Sequence, residues 1–218
     1  MASDVDIANM ALVMIGAQRI GALTENSKNA RELNAIYVSY RESELRAHNW
    51  SFAINRVVLP ALATAPPFGF QWYYQLPPDF LKLIQAGGFS PGLSLTDYRS
   101  FNEQAYAIEG DKIAWGSIGP VHQYGVPLAQ VSPPNPVPLK IRYIRRITDP
   151  TKFDSLFVTA FAARLALQVC EKITGSSDKD KNAAQMYQQA IADALRSNAI
   201  EKPPSPMMDD SWVMTRNF

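Results

Sequence analysis

The sequence predicts an α+β fold in which helices at both ends of the chain enclose a β-rich middle third. Apolar residues recur at helical spacing before residue 50 and again after residue 149, whereas strand-like alternation fills the region between. Neither helical pair has an apolar core of its own, so the two pairs are expected to pack as a four-helix bundle. The predicted architecture is this bundle with an inserted all-β module and an extended C-terminal tail.

Residues 1–49 predict the first half of the bundle. A first helix over residues 3–16 has one apolar face, and Ser3 with Asp6 fits a capping box at its start. Gly16 and Gly21 interrupt the helical pattern. A second helix is predicted from about Ser27 to Asn49, where charges of alternating sign indicate a partly solvated surface.

Residues 50–148 predict the β module, because repeated prolines exclude long helices there. The run "FQWYYQL" is rich in aromatic residues that favour strands. The run "AYAIEGDKIAW" predicts a hairpin that turns at Glu109, Gly110 and Asp111. In "PLKIRYIRRI", Leu139, Ile141 and Tyr143 alternate with cations, as in a strand with one buried face.

Residues 149–200 predict the second half of the bundle, and residues 201–218 predict the tail. Asp149 and Asp154 are candidate caps, and the segment 153–173 is apolar on most sides, which is typical of a central helix. Gly175 ends this helix. The run "SSDKD" then caps a last helix to about Asn198.

Composition limits the classes of function. The 218 residues are 47% hydrophobic with a formal net charge of +1, so no strongly basic or acidic region marks a dedicated nucleic-acid binder. The single cysteine, Cys170, excludes an intrachain disulfide and favours an intracellular folding environment. No run approaches the ~20 apolar residues of a membrane span, and no membrane partner is expected.

The sequence predicts no catalytic residue, metal ligand or cofactor. The glycines of "GDKIAWGSIG" lack phosphate-loop spacing, and the two histidines, His48 and His122, lack metal-ligand spacing. Acids in the β module are interpreted as turn and surface residues, with paired carboxylates of a hydrolase as the alternative. These acids are Asp79, Asp97, Glu103, Glu109 and Asp111.

Two segments are candidate binding sites. The first is the basic run Lys140, Arg142, Arg145 and Arg146, which is either a solvated strand face or a contact for nucleic acid or an acidic partner. The second is the terminal run "PPSPMMDDSWVMTRNF", which either folds back on its own helices or docks on a partner. Its candidate anchors are Trp212, Val213, Met214 and Phe218, with Arg216 as a candidate charged clamp.

Several segments resemble, in order, phage tail tubular protein A and related head-to-tail adaptor proteins. The first runs from "ANMALVMIGAQRIGALTENS" through the helix with "YVSYRESELRAHNW" to "SFAINRVVLP". The others are "YYQLPPDFLKL", "YAIEGDKI", "IRYIRRITDPTKFDSLFVTAFAARLALQV" and "MYQQAIADAL". Together they cover most of the chain.

The resemblance implies a structural virion protein and not an enzyme. Adaptors of this family form a ring, usually a dodecamer, that joins the portal protein to the tail tube or nozzle and continues the DNA channel. Double-stranded DNA passes during ejection without sequence-specific binding, and the C-terminal segment engages the portal. The resemblance thus implies a protein of the virion neck, assembled in the host cytoplasm. A tail-associated hydrolase of cell-wall or surface polysaccharide is the alternative.

Overall fold

The computed structural model of the protein describes residues 2–87, 106–117 and 138–201. These ranges contain, in order, α1 (Asp4–Met14), α2 (Lys28–Ala47), β1 (Ile54–Leu59), β2 (Phe70–Gln75), β3 (Phe80–Ala86), β4 (Tyr106–Glu109), β5 (Lys112–Ser117), β6 (Leu139–Arg145), α3 (Ser155–Thr174) and α4 (Ser177–Ile200). The chain divides into two compact units. Glu42–Thr148 forms the β unit, and the described residues before and after it form the helical unit.

Helix α3 is the centre of the helical unit, and both α1 and α4 pack against it. Asp154 caps its first turn by accepting hydrogen bonds from the backbone N–H groups of Leu156 and Phe157. Gly175 ends it with a φ of 64°, a left-handed conformation that favours glycine. Ten of its residues are buried: Phe157, Val158, Ala160, Phe161, Ala162, Ala163, Leu165, Ala166, Val169 and Cys170. The prediction of a central apolar helix is confirmed.

Helix α2 contributes to the helical unit through two tyrosines. The ring of Tyr37 meets the ring of Phe161 edge-on, with 5.3 Å between centroids. The Tyr37 hydroxyl donates to Asp4 Oδ1 at 2.8 Å, and the Tyr40 hydroxyl donates to Gln168 Oε1 at 2.6 Å. Side chains therefore connect α2 to both α1 and α3.

The predicted four-helix bundle is wrong, because the four helices are not clearly arranged as one. Helix α1 has 11 residues and so spans about 16 Å, roughly half the length of α4 with its 24 residues. Helix α2 begins in the helical unit, but its residues from Glu42 onward belong to the β unit. The apolar faces of the helices could be predicted from the sequence, but such faces do not specify which helices pack together or over what length.

The β unit contains two three-stranded antiparallel sheets, with strand orders β1-β6-β3 and β2-β5-β4. The predicted hairpin is confirmed: β4 and β5 pair from Glu109 opposite Lys112, with Gly110 at a φ of 62° in the turn. Both sheets contribute to one apolar cluster, which consists of Leu59, Tyr74, Leu76, Ile113, Leu139, Ile141 and Tyr143. This cluster is the core that holds the unit together.

The end of α2 and the turn after it contribute further contacts within the β unit. Trp50 is 1% exposed, and its indole N–H donates to the carbonyl of Glu44 at 2.9 Å. Arg46 donates to the backbone carbonyl of Leu81 on β3. Trp50 thus holds the turn against the end of α2, and Arg46 connects α2 to the first sheet.

Candidate nucleic-acid interface

Over residues 139–143, strand β6 presents its cations and its apolar residues on opposite faces of the first sheet. Successive side chains of a strand point to opposite faces, and Leu139, Ile141 and Tyr143 all enter the apolar cluster. Lys140 and Arg142 therefore lie on the other face, where Lys140 is exposed and Arg142 is half-buried. The alternating pattern of the sequence dictates this separation directly.

Strand pairing adds a third cation to this face. Arg56 of β1 lies directly opposite Arg142, and exposed Gln85 of β3 pairs with Arg142 from the other side. One row further along the sheet, Val58 lies opposite Lys140 and is 55% exposed. We call Arg56, Lys140 and Arg142 the basic face.

The opposite end of the same face is covered. There Ile54 of β1 and Lys82 of β3 both pair with Ile144, which is 0% exposed. Lys82 is half-buried, and its charge lowers the pKa of His48, although burial of the His48 ring is the larger cause. Among the described residues, the basic face is thus the more exposed part of this side of the sheet.

Arg145 and Arg146 of the predicted basic run lie apart from the basic face. Arg145 pairs with Phe80 next to an irregularity in the β3–β6 register, and its Nε atom is buried without a hydrogen-bond partner. Arg146 follows the end of β6, where its Nε lies 2.8 Å from Glu42 Oε1. Of the four predicted cations, the structure brings together Lys140 and Arg142.

The predicted basic run did not include Arg56, although the segment that contains it has the composition of a strand. The run "INRVVL" is β1, and its β-branched residues are typical of strands. The position of Arg56 opposite Arg142 depends on pairing between segments that are far apart in sequence. No local pattern encodes that register.

The carboxylates of the described β unit have partners away from the basic face. Asp79 accepts from the Tyr143 hydroxyl at 2.9 Å. Burial, and after it this hydrogen bond, raise the pKa of Tyr143. Glu109 accepts from the Tyr73 hydroxyl at 2.6 Å and raises the pKa of Tyr73.

Three further carboxylates of the unit lie in the described ranges. Asp111 accepts from the Gln75 amide at 2.9 Å, which lowers the pKa of Asp111. Glu42 pairs with Arg146, and Glu44 is 3% exposed. Among the described residues, no carboxylate lies within ion-pair distance of the basic face.

Other predicted site residues lie outside the described ranges. These are the acids Asp97 and Glu103, His122, and the tail residues Trp212, Val213, Met214, Arg216 and Phe218. Within residues 2–87, 106–117 and 138–201, no three His, Cys, Asp or Glu side chains group as metal ligands. No helix in those ranges is long and apolar enough to span a membrane.

The comparisons with known proteins leave the resemblance to adaptor proteins as a proposal. No protein-family model matches the chain, and no curated protein matches it.

Proposed function

We propose that this protein is a head-to-tail adaptor of a phage virion. Copies of the chain form a ring, a dodecamer in the particle, between the portal protein and the tail tube or nozzle. The ring continues the channel through which double-stranded DNA leaves the head. The protein acts as a structural component of the neck and is assembled in the host cytoplasm.

The observation that carries the proposal is that the segments resembling adaptors supply core residues of both units. Trp50 of "HNWSFAINRVVLP" is 1% exposed, and Tyr143 of "IRYIRRI" is 2% exposed in the β unit. Phe161 of "FVTAFAARLALQV" is fully buried in the helical unit. A likeness that includes core residues of both units supports a relationship in fold across the described parts of the chain.

The second sheet offers a surface suited to contacts between neighbouring copies in a ring. Trp72, Trp115 and Tyr106 lie in one row across its three strands, where Trp72 and Trp115 pack partly against the apolar cluster and the Trp115 and Tyr106 rings stack at 6.3 Å. Tyr106 is 51% exposed and Ile108 is 45% exposed on β4, which is an edge strand of this sheet within the described residues. Aromatic side chains are enriched at protein interfaces, and an edge strand carries free backbone hydrogen-bonding groups.

The C-terminal segment supplies the portal contact in this proposal. Trp212, Val213, Met214 and Phe218 are the anchors, and Arg216 is the charged clamp. Large apolar and aromatic side chains together with arginine are the residue types that dominate binding energy at interfaces. An extended spacer before these anchors is favoured by the prolines that precede them, Pro203, Pro204 and Pro206.

Electron microscopy of the purified protein mixed with purified portal protein tests the proposal. We expect a ring of added density on one face of the portal, with the rotational symmetry of the portal ring. Portal particles that stay bare under assembly conditions, at protein concentrations well above that of the portal, would overturn the adaptor function. Portal binding is expected of an adaptor but not of the hydrolase alternative, so the assay also separates these two functions.

A further inference from the structure

We propose that the basic face of Arg56, Lys140 and Arg142 binds the phosphate backbone of duplex DNA without reading its sequence. The proposal deepens the adaptor function, because it gives the DNA that passes through the ring a defined contact on each copy. It rests on the adaptor function only for that biological setting. Binding of DNA to the free protein is a separate property that can be measured without the portal.

The first argument is charge. Arg56 and Arg142 are directly opposite each other, and such pairs in antiparallel sheets have Cα atoms about 4.5–5.5 Å apart. Lys140 lies two residues along β6 on the same face, at about 6.8 Å. Three positive charges therefore share a small surface. The carboxylates of this unit whose partners were given above contact other residues. An anion is the complement that this surface lacks within the described structure.

The second argument concerns which anion fits. Protein interfaces centre on aromatic and apolar anchors, but in the described strand-pairing rows that contain these cations the only large apolar residue is Val58, which pairs with Lys140. Contacts to phosphate come from Arg and Lys with help from polar groups such as Gln. Gln85, exposed and paired with Arg142, supplies such a donor. The composition of the face therefore favours a phosphate backbone over an acidic protein.

The third argument concerns sequence readout. The major groove of B-DNA is about 12 Å wide and admits a helix or a two-stranded ribbon. Three strands spaced about 4.8 Å apart, with side chains added, are too wide to enter it. The sheet therefore lies across the backbone, and its cations contact phosphates only. Sequence-independent binding of this kind also suits DNA that moves through a channel.

The expected strength follows from counterion release. Each phosphate neutralised contributes about −0.9 to the slope of log affinity against log salt for duplex DNA, so three contacts give about −3. A fourfold increase in salt then weakens binding by about 40-fold. One copy binds weakly, and a ring multiplies the same contact around the channel.

Fluorescence anisotropy of the full-length protein with short labelled DNA duplexes of unrelated sequence tests the proposal. The variant Arg56→Gln/Lys140→Gln/Arg142→Gln is expected to bind each duplex weakly, with a slope of log affinity against log salt near zero. Each single substitution lowers the magnitude of the slope by about 1. The variant Arg142→Lys, which keeps the charge, retains the slope.

A matched control removes the same charge from the helical unit. The variant Arg31→Gln/Lys181→Gln/Arg196→Gln replaces three exposed cations there and is expected to bind DNA like the wild type. Circular dichroism checks that both triple variants are folded. Portal binding by the basic-face variant, measured in parallel, stays unchanged, so loss of DNA binding is distinct from failure of the adaptor function.

Four results would overturn the proposal. The first would be a wild type that fails to bind duplex DNA at low salt. The second would be a basic-face variant that keeps the wild-type affinity and salt slope. The third would be a control variant that loses as much affinity as the basic-face variant, which would make the effect one of net charge. The fourth would be that the basic-face substitutions abolish binding of a polyglutamate probe but not of duplex DNA, which would assign the face to an acidic protein.

Discussion

Arg56 of β1 and Arg142 of β6 lie directly opposite each other on the exposed side of an antiparallel sheet. Directly opposed like charges destabilise a strand pair, and the described residues place no carboxylate within ion-pair distance of either guanidinium. The Nε atom of Arg142 is buried without a hydrogen-bond partner, which adds to this cost. The opposed pair is therefore expected to lower the stability of the free sheet, and the proposed anion would relieve this repulsion.

The substitution Arg56→Gln is expected to stabilise the free protein. It removes one of the two opposed charges at an exposed position and should raise the free energy of unfolding by about 0.2–1 kcal/mol. Urea denaturation measures the change, and added salt should reduce it because salt screens exposed charges. Arg31→Gln, at an exposed position of α2, serves as the control with little effect. A lower stability for Arg56→Gln would show that the opposed pair is not destabilising.

Local chemistry allowed much of the fold to be predicted. The capping box of Ser3 and Asp6, the caps at Asp149 and Asp154, and the left-handed Gly175 all depend on neighbours within a few residues. The alternation in β6 likewise assigned Lys140 and its neighbours to opposite faces. Such features are encoded where they occur, because the backbone groups involved are close in sequence.

Non-local relationships escaped prediction. Strand β3 was not recognised, and its pairing with β6 contains register irregularities that no local rule specifies. Arg56 joined the basic face only through pairing across a long stretch of sequence. The prediction of a four-helix bundle was wrong for the same reason, because an apolar face on α2 does not specify which helix packs against it. Tyr37 and Phe161 settle that contact in the structure.

Tyr37 gives the protein a pH-dependent contribution to stability. Burial and the hydrogen bond to Asp4 raise its pKa above the ordinary value of 10.0. The folded state thus holds this proton more tightly than the unfolded state, so the contribution is complete below pH 10.0 and is lost as the pH rises further. Tyr37→Phe keeps the ring contact with Phe161 and should cost about 1 kcal/mol at neutral pH.

Denaturation across pH tests this assignment by difference. The gap in unfolding free energy between the wild type and Tyr37→Phe should narrow as the pH rises above 10.0. Comparing the two proteins at each pH removes the contributions of Tyr74 and Tyr143, whose pKa values are also raised and which both proteins share. A gap that stays constant into this alkaline range would contradict the role of the hydroxyl.

Arg164 of α3 should stabilise the helical unit through two aromatic rings. Its guanidinium carbon lies 5.4 Å from the ring centroid of Tyr40 on α2 and 5.1 Å from that of Tyr187 on α4. Cation–π contacts contribute about 0.5–1 kcal/mol each when partly exposed, so Arg164→Met should cost about 1–2 kcal/mol. Methionine retains the apolar stem, and thermal unfolding provides the measurement.

The aromatic partners supply the control for this prediction. If the two rings carry the effect of the charge, Arg164→Met should cost less in a Tyr40→Leu/Tyr187→Leu background than in the wild type. An equal cost in both backgrounds would assign the loss to packing of the stem. Arg164→Lys should fall between the wild type and methionine, because lysine keeps the charge but loses the planar group.

Deletion of residues 207–218 is expected to leave the fold intact and to abolish stable attachment to the portal. Residues 2–87, 106–117 and 138–201 contain the α3 core and the apolar cluster of the β unit, so helical content by circular dichroism should be nearly unchanged. Portal binding should be lost with the anchors Trp212 and Phe218, and the full-length double variant Trp212→Ala/Phe218→Ala should weaken it in the same direction. A truncated protein that unfolds would instead make this segment part of the protein's own core, and one that binds portal normally would place the portal contact elsewhere.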